Sequence, residues 1–385
     1  MNPPRKINVL MVSNYPSDTG YAWWLMEHFW VTMAELFDQN GGKAYLAYPA
    51  ITSLSKRIAS APIKTIELTI PWHSKDQASL VKDFIRKNNI TAIYFTDQPY
   101  FNAQYAVLRS SGVKQIIIHD HTPGDRPPIN GIKGMVKAAR NAIPLLTADN
   151  VLCVSELMRQ RNISNVRIPA HKCITVQNGI IPVDCSAINV APLKKSLNVK
   201  PNCTLVITTG RAHPYKRFDF IIKCAEVLTK RAPELDVVFL LVGDGPAMSE
   251  LHEMVRLRNL EASVRLLGFR SDVRELLCVS DIALHAALGE GFSLSIIEYM
   301  SAGLPVLVPD IPSVCQAINH DKTGIIYPKD DPVKVAAHIQ ALVTNPERIL
   351  TMGKTAKEQA NSIYSLEQCT NNFVSAIENI LPSKA

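Results

Sequence analysis

The sequence of 385 residues has no long hydrophobic run and little charge. Its longest apolar runs, such as VVFLLV, fall far short of the ~18–20 residues that span a bilayer. The apolar run near the start, INVLMV, is too short for a secretory signal core and predicts a strand. Charged residues make up 19% and hydrophobic residues 47%, which excludes a disordered or collagen-like chain. At ~150 residues per domain, the length predicts two or three domains.

The chain also lacks the cysteine patterns of metal sites and redox motifs. None of its eight cysteines forms a C-x-x-C pair, and no histidine pair completes a zinc pattern. Several cysteines lie in apolar, strand-like runs, as in VLCVS. We therefore expect buried, reduced thiols in a cytosolic protein, and no bound metal.

Net charge is +7, and all of the excess lies in the first half of the chain. Residues 1–190 contain 20 Lys and Arg against 13 Asp and Glu, whereas residues 191–385 contain 21 of each kind. A basic half favours an anionic surface or substrate, such as a membrane or a phosphate-bearing acceptor. The sequence has no Lys/Arg-rich segment of the kind that binds nucleic acid, so we expect no nucleic-acid partner.

Short apolar runs alternate with amphipathic stretches along the whole chain, which predicts parallel sheets covered by helices. The predicted strands are INVLMV, KAYLAY, TIELTI, TAIYFT, QIIIHD, NVLCVS and CITVQN, then TLVITTG, VVFLLVG, VRLLGF, DIALHA and PVLVP. Helices are expected at 76–88, 130–142 and about 366–381. A proline-containing break near 181–203 separates two doubly wound α/β domains.

The strongest motif is GEGFSLSIIE, in which glycines flank Glu290. A helix is predicted to follow this loop and to end at Ala302, and it contains Glu298. A helix that begins after a glycine-flanked loop offers free N–H groups to a phosphate. Upstream, Arg211 and Lys216 follow a strand and would suit a diphosphate. Each part of this interpretation has an alternative. Arg211 and Lys216 are instead solvated surface residues, and Ser295 and Glu298 instead form only a capping box.

Two further strand ends carry polar and aromatic residues. His119 and His121 end QIIIHDH, on the opposite face from Asp120, and are either structural or functional. The loop of residues 17–20 could place an N-cap and a flexible glycine before a helix. Aromatic residues after this loop, including tryptophans, predict either a buried helix face or a stacking or lipid-facing surface.

Lys133, Lys137 and Arg140 share one stripe of a predicted helix, beside or over apolar Ile132, Met135 and Val136. This pattern indicates either a solvated face or a helix at a membrane surface.

Taken together, these motifs resemble the retaining glycosyltransferases of family 4, which have the two-domain GT-B fold. The most specific part is GEGFSLSIIEYMSAGLPVLVPD, which is similar to the family's Glu-(seven residues)-Glu motif and following strand. GRAHPYKRFD, LLVGDGP, VRLLGF, ADNVLCVS and VQNGI also match the family's motifs, so the match runs nearly from end to end. The resemblance implies an acceptor-binding domain over 1–187, onto which a helix at about 366–385 packs. It implies a nucleotide-sugar-binding domain over 188–365.

The resemblance also implies a role for each matching residue. Arg211 and Lys216 would hold the donor diphosphate, Glu290 the sugar hydroxyls and Glu298 the ribose. His119 would lie near the sugar. The implied catalytic residues are Glu290, His119, Arg211 and Lys216. The implied donor-binding residues are Gly20, Arg211, Lys216, Phe269, Arg270, Glu290, Gly291, Phe292, Ser293, Leu294 and Glu298. Acceptor-side candidates are His121, Thr19, Trp23 and Trp24.

The implied reaction is metal-independent transfer of a hexose, with retention, from a nucleotide sugar to a glycan or lipid-linked acceptor. A UDP-sugar is the expected donor, and surface polysaccharide or glycolipid biosynthesis is the expected setting. We expect a cytoplasmic protein, peripheral on the inner face of the membrane, with Lys133, Lys137 and Arg140 toward an anionic lipid surface. Some residues depart from the family's usual pattern, such as Ala286-Ala287 and Ser293, and these departures leave the identity of the donor sugar open. The alternatives are a nucleotide-sugar epimerase of the same fold and a non-catalytic nucleotide-sugar-binding subunit.

Overall fold

A computed structural model describes residues 6–19, 24–124 and 126–381. Gly20 and Trp23 lie outside the described residues. The chain divides into two compact units, one of residues 1–177 with 369–385 and one of residues 178–368.

The first unit is built on a parallel sheet, seven-stranded within the described residues. Its strands are β1 (Asn8–Val12), β2 (Lys43–Tyr48), β3 (Ile63–Glu67), β4 (Ile90–Thr96), β5 (Gln115–Asp120), β6 (Asn150–Cys153) and β7 (Cys173–Thr175). The order is β3-β2-β1-β4-β5-β6-β7, and the central strands are mainly apolar because both faces of the sheet are buried.

Helices alternate with these strands. They are α1 (Trp24–Asp38), α2 (Lys56–Ser60), α3 (Lys75–Lys87), α4 (Gln104–Ser110), α5 (Gly131–Asn141) and α6 (Glu156–Ser164). The strand order reverses between β1 and β4, so right-handed crossovers place the helices that connect β1 to β3 on one face of the sheet and those that connect β4 to β7 on the other. In such sheets ligands bind outside the carboxyl ends of the strands, at the point of reversal.

The second unit repeats this plan with a parallel sheet that is six-stranded within the described residues. Its strands are β8 (Thr204–Thr209), β9 (Val237–Val242), β10 (Val264–Gly268), β11 (Ile282–Leu284), β12 (Val306–Pro309) and β13 (Gly324–Tyr327). The order is β10-β9-β8-β11-β12-β13, with the reversal between β8 and β11. The loops after β8 and β11 therefore flank the expected binding position of this unit.

The remaining helices are α7 (Val190–Ser196), α8 (Phe218–Arg231), α9 (Met248–Leu257), α10 (Val273–Cys278), α11 (Leu294–Ala302), α12 (Pro312–Cys315), α13 (Pro332–Val343), α14 (Pro346–Ile363) and α15 (Leu366–Ile380). Most of α15 belongs to the first unit, where Phe373 packs 4.8 Å from Phe29 of α1, measured between ring centroids.

The predicted fold class, two doubly wound α/β sheets, is confirmed. Every predicted strand is present, but β3 lies at Ile63–Glu67 rather than within TIELTI. The sequence analysis missed β13, whose segment is GIIY.

The expected domain boundary at residue 187 differs from the observed division after residue 177 by ten residues. Residues beyond 177 are bound to the second unit, because the Val183 N–H donates to the Ser301 hydroxyl at 2.9 Å. Cys185 also forms a disulfide with Cys278, with Cα atoms 5.3 Å apart.

This disulfide corrects the expectation that all the thiols are reduced. The two cysteines are 93 residues apart in sequence, and their spacing gives no sign that the fold brings them together. The other six cysteines form no disulfide, and all but Cys315 are buried. Cysteine usage thus no longer supports the predicted cytosolic location.

Candidate functional site

Glycines bring the loops at the carboxyl ends of β8, β9 and β10 into contact. The Gly210 N–H donates to the Val242 carbonyl at 3.0 Å, and the Gly243 N–H donates to the Gly268 carbonyl at 2.8 Å. Gly243 has φ 137°, and a Cβ there would stand 1.8 Å from the Gly210 carbonyl oxygen. Only glycine satisfies both constraints, so Gly243 fixes the position of the segment that leads to Arg211.

The structure brings together Lys216 and Glu290, which are 74 residues apart in sequence. Lys216 ends a short 3-10 turn after β8, and Glu290 lies in the loop after β11. The Lys216 Nζ lies 2.5 Å from the Glu290 Oε1, and the two side chains are only 12% and 11% exposed. The Leu288 N–H donates to the Tyr215 carbonyl at 2.9 Å and holds the two loops in register.

His285 completes this cluster and was not singled out from the sequence. Its Nε2 lies 3.0 Å from the same Oε1 of Glu290. Burial lowers the pKa of His285, so the ring is neutral and its Nε2–H donates to the carboxylate. The available signal was its place at the end of the run DIALHA, as His119 ends QIIIHD.

The Glu290 carboxyl stays ionised at physiological pH. Burial favours its neutral form, but the charge of Lys216 and the hydrogen bond from His285 lower its pKa to about 2. Both contacts fall on Oε1. Among the described residues no hydrogen bond reaches Oε2, so this oxygen can accept one from a ligand.

Glu298 projects from α11, which begins with Ser293 as N-cap and ends at Gly303 with φ 87°. Ser295 therefore lies inside the helix, and the alternative of a Ser295–Glu298 capping box is wrong. Burial raises the pKa of Glu298 to about 7, with a smaller opposing effect from Arg274. Within the described part of the chain Glu298 forms no ion pair, so its carboxyl can bind a ligand hydroxyl.

The first turn of α11 is held in place by two side chains that sequence reasoning missed. Tyr299 accepts a hydrogen bond from the Thr209 N–H at 2.6 Å and thereby ties the helix to the end of β8. Gln316 donates from Nε2 to the Gly291 carbonyl at 3.0 Å. The Ser293 hydroxyl makes no capping bond, so within the described part of the chain the first N–H groups of the helix have no intrahelical or side-chain acceptor.

The remaining predicted donor-site residues follow the same strand ends. Arg211 is exposed and forms no ion pair with any residue that the structure describes. Phe269 is 70% exposed, and Arg270 pairs with Asp272 at 2.6 Å. Among the residues at the start of α11, Gly291, Phe292 and Ser293 are buried and Leu294 is half-buried.

In the first unit, His119 and His121 lie on one face of the sheet, as strand alternation predicts. Their ring centroids are 4.2 Å apart, and the His119 Nδ1 lies 2.6 Å from the Tyr94 hydroxyl. Phe29 of α1 packs 4.7 Å from the His119 ring. Burial lowers the pKa of both histidines, that of His121 to about 4, so both are neutral at pH 7. Each Nε2 is buried and has no hydrogen-bond partner among the described residues.

The opposite face carries a buried polar network. Asp120 accepts hydrogen bonds from the Arg161 Nη2 at 3.1 Å and the Asn162 Nδ2 at 2.9 Å. Burial raises the pKa of the neighbouring Asp97 to about 7, although the His121 N–H donates to this carboxyl at 2.5 Å. Asp97 has φ 54°, a left-handed conformation that few residues other than glycine adopt.

A cavity of about 400 Å³ adjoins this network. Its polar lining residues are Asp97, Gln98, Asp120, Thr122, Arg126 and Asn162. Apolar side chains, including Tyr100, Ile118 and Val151, complete the wall. Such a mixture of carboxylates, amides and apolar surface suits a hydroxyl-bearing ligand.

The predicted loop before α1 is only partly described. The Ser17 hydroxyl accepts from the Thr52 N–H at 3.0 Å. The Thr19 hydroxyl donates to the Pro16 carbonyl at 2.8 Å. Trp24 is half-buried at the start of α1, whereas Trp30 is fully buried, as the buried-face interpretation expects.

No group of three or more His, Cys, Asp or Glu side chains is arranged to hold a metal ion in the described ranges. Over the same residues, none of the helices combines the length and the apolar character needed to cross a membrane.

Residues 203–345 match the family model of the glycosyl transferases group 1. Among curated proteins, the chain is 28% identical over 228 residues to the UDP-Gal:alpha-D-GlcNAc-diphosphoundecaprenol alpha-1,3-galactosyltransferase of Escherichia coli. That match covers 58% of this chain and 56% of the relative. The chain spans about half the length of the first curated relatives that it matches.

Solved structures resemble the chain over nearly its whole length. A glycosyltransferase from Rickettsia africae matches with a TM-score of 0.79 and 18% identity, over 98% of this chain and 99% of its own. Anabaena HepE in complex with UDP matches with a TM-score of 0.73 and 17% identity, over 97% and 100%. At these identities the likeness concerns the fold, and it confirms the predicted GT-B architecture.

Proposed function

We propose that the protein is a retaining, metal-independent glycosyltransferase. It would transfer a hexose from a UDP-sugar to a glycan or lipid-linked acceptor, in surface polysaccharide or glycolipid biosynthesis. The observation that carries the proposal is the Lys216–Glu290–His285 cluster beside the start of α11, inside the group 1 domain. The group 1 match and the glycosyltransferase neighbours support the reaction class.

The leaving group of such a reaction is a nucleoside diphosphate, so the main catalytic task is to stabilise developing negative charge. Lys216 and Arg211 supply two cationic side chains after β8. The uncapped start of α11 adds N–H groups and the positive end of the helix dipole. These groups are sufficient to bind a diphosphate without a divalent ion, which supports the metal-independent reaction.

Glu290 is suited to bind sugar hydroxyls rather than to donate a proton. With a pKa of about 2, its carboxyl is ionised at neutral pH and has no proton to donate. Its Oε2 is open to a hydroxyl, and Lys216 and His285 fix the other oxygen. Retention of configuration rests on the resemblance of the Glu-(seven residues)-Glu motif to retaining enzymes.

Glu298 is the second carboxyl of this motif, and it would accept hydrogen bonds from the ribose hydroxyls. The uridine base is supported by HepE, which was solved with UDP, and by the relative from Escherichia coli, whose name includes UDP-Gal. The same relative's name includes a diphosphoundecaprenol-linked sugar, which supports a lipid-linked acceptor for this chain.

The acceptor would use the first unit, with its hydroxyls in the cavity beside Asp97. The unpaired side of this carboxyl and the neighbouring amides can take hydrogen bonds from several hydroxyl groups at once. His119 and His121 are neutral, and each has an Nε2 atom without a hydrogen-bond partner among the described residues. By the resemblance, His119 would lie near the sugar.

A donor screen tests the proposal. Thermal unfolding of the full chain is measured with UDP, GDP and ADP, and the UDP-sugars are then assayed for hydrolysis and transfer, with and without EDTA. We expect stabilisation by UDP and turnover that EDTA leaves unchanged. The anomeric configuration of the product, read by NMR, tests retention.

Variants connect the activity to the site. Lys216→Ala and Glu290→Ala should each lose at least ~100-fold in turnover, because they remove charge stabilisation and sugar binding. Lys223→Ala removes an exposed lysine of α8 and is the matched control. Wild-type turnover in both site variants would overturn the assignment. Product formed from the donor alone would indicate an epimerase, and UDP binding without turnover would indicate a non-catalytic subunit.

A further inference from the structure

Helix α5 turns its apolar side away from the protein. Ile132, Met135 and Val136 are 80%, 73% and 62% exposed, and their spacing places them on one stripe of the helix. The buried side consists of Gly134 and Asn141 instead. A helix that packs on a globular core normally buries its apolar stripe, so this orientation is reversed.

The reversed orientation has a structural cause. Gly134 lies so close to the preceding loop that a Cβ there would stand 2.5 Å from the Ile129 carbonyl oxygen. At the other end, the Asn141 Nδ2 donates to the Val166 carbonyl at 2.8 Å. The helix is thus fixed by a close backbone contact and a buried amide, and no rotation could bury its apolar stripe without breaking both.

The exposed apolar surface continues past the helix. Ile143 and Leu145 are 42% and 54% exposed in the segment that follows α5. The α5 surface, which we define as Ile132, Met135, Val136, Ile143 and Leu145, therefore concentrates five large aliphatic side chains in fourteen residues. An exposed apolar group of this size marks a binding surface.

Cations border the α5 surface. From Arg126 to Ala148 the sequence contains four Lys and Arg and no Asp or Glu. Asp125 and Asp149 flank this stretch, and Asp149 pairs with Arg109 at 3.1 Å. Lys133 is exposed, and the Lys137 Nζ reaches only the Asn165 carbonyl, at 3.4 Å. Burial lowers the pKa of Lys137, and the nearby charges of Arg140 and Arg126 lower it further.

We infer that the α5 surface binds an anionic phospholipid bilayer, with the helix lying in the plane of the interface. A bilayer offers an apolar layer directly beside negative headgroups, and the α5 surface combines the two complementary properties. A second copy of the chain would instead bring the same cations together. The inference goes beyond the proposed glycosyl transfer and does not depend on it, because lipid binding needs neither donor nor acceptor.

Vesicle flotation of the full chain tests the inference. We expect binding to vesicles of phosphatidylcholine mixed with phosphatidylglycerol, and much weaker binding to phosphatidylcholine alone. Raised salt should weaken the binding without abolishing it, since the apolar contribution is insensitive to screening. Equal binding to both kinds of vesicle, or to neither, would overturn the inference.

Matched variants locate the contact. Replacement of Ile132, Met135 and Val136 by serine should weaken binding by about tenfold for each side chain. The control triple, Leu257→Ser, Val333→Ser and Leu350→Ser, removes aliphatic side chains that are 63%, 52% and 71% exposed in the second unit, and should bind like wild type. Lys133→Ala should cost about fivefold, and Lys195→Ala, on α7, nothing.

All the replaced side chains are exposed, so unchanged far-UV circular dichroism is expected and serves as the folding check. Two results would refute the bilayer as partner. One is a triple serine variant of α5 that floats like wild type. The other is a wild-type dimer in sedimentation that the same variant converts to monomer, which would assign the surface to a second copy of the chain.

Discussion

The carboxyl of Glu298 destabilises the second unit at neutral pH, and its replacement by glutamine should remove that penalty. Partial burial raises its pKa from 4.5 to about 7. As pH rises past 4.5 the unfolded chain loses this proton while the folded chain keeps it, so stability falls between pH 4.5 and 7. At ~1.36 kcal/mol per pH unit, the loss reaches up to about 3 kcal/mol above pH 7.

The assay is thermal unfolding of wild type and Glu298→Gln at pH 5, 6, 7 and 8. The variant should gain little at pH 5 and most at pH 8, where about 3 kcal/mol corresponds to a rise of about 6–12 °C in Tm. Far-UV circular dichroism must follow the transition, because all four tryptophans lie at positions 23, 24, 30 and 72, in the first unit. Glu358→Gln changes an exposed carboxyl of α14 and is the control.

The same variant tests the proposed ribose contact. If a ligand hydroxyl needs the ionised carboxylate, UDP binding releases a proton, and the wild-type Kd should tighten as pH rises toward 7. Glu298→Gln should bind UDP more weakly and lose this part of the pH dependence, as measured by calorimetry. A gain in Tm that is equal at pH 5 and pH 8 would refute the burial argument.

Three further predictions concern other sites. Lys216→Met leaves a buried carboxylate without its cation and should lower the free energy of unfolding by about 3–5 kcal/mol, most of which the double variant with Glu290→Gln restores. Additive losses in a double-mutant cycle, measured by thermal unfolding, would contradict the pairing. Asp97→Asn should raise the acceptor KM by about tenfold while leaving UDP affinity, measured by calorimetry, unchanged; an unchanged KM would remove the cavity from the acceptor site. In denaturant without reductant, a thiol reagent should titrate six cysteines, and in Cys185→Ser it should also titrate Cys278; eight thiols in wild type would exclude the disulfide.

Most of the fold is predictable from the sequence because parallel strands are buried on both faces and stand out as apolar runs. The run VVFLLV coincides with β9, and QIIIHD with β5. β13 was missed because its four residues, GIIY, form too short a run to separate from a buried loop. β3 was misplaced because TIELTI continues past the strand with an equally apolar pattern.

The candidate site was only partly predictable. Motif spacing located Lys216, Glu290 and Glu298, but not that the first two pair with each other, because contact across 74 residues leaves no local pattern. His285 appeared in the sequence as one more strand residue, and only the fold shows its hydrogen bond to Glu290. The reversed orientation of α5 was equally hidden, since an amphipathic pattern does not say which face meets the core.

The contact between Gly243 and the Gly210 carbonyl has a consequence for attempts to change the donor. A library that randomises whole loops at this edge of the sheet would consist mostly of unfolded members, because any side chain at Gly243 collides with backbone rather than with a movable neighbour. Diversity is better placed at Phe269, which is 70% exposed, and at Arg270, whose side chain is 34% exposed. The scaffold thereby separates positions that can evolve from positions that cannot, only a few residues apart.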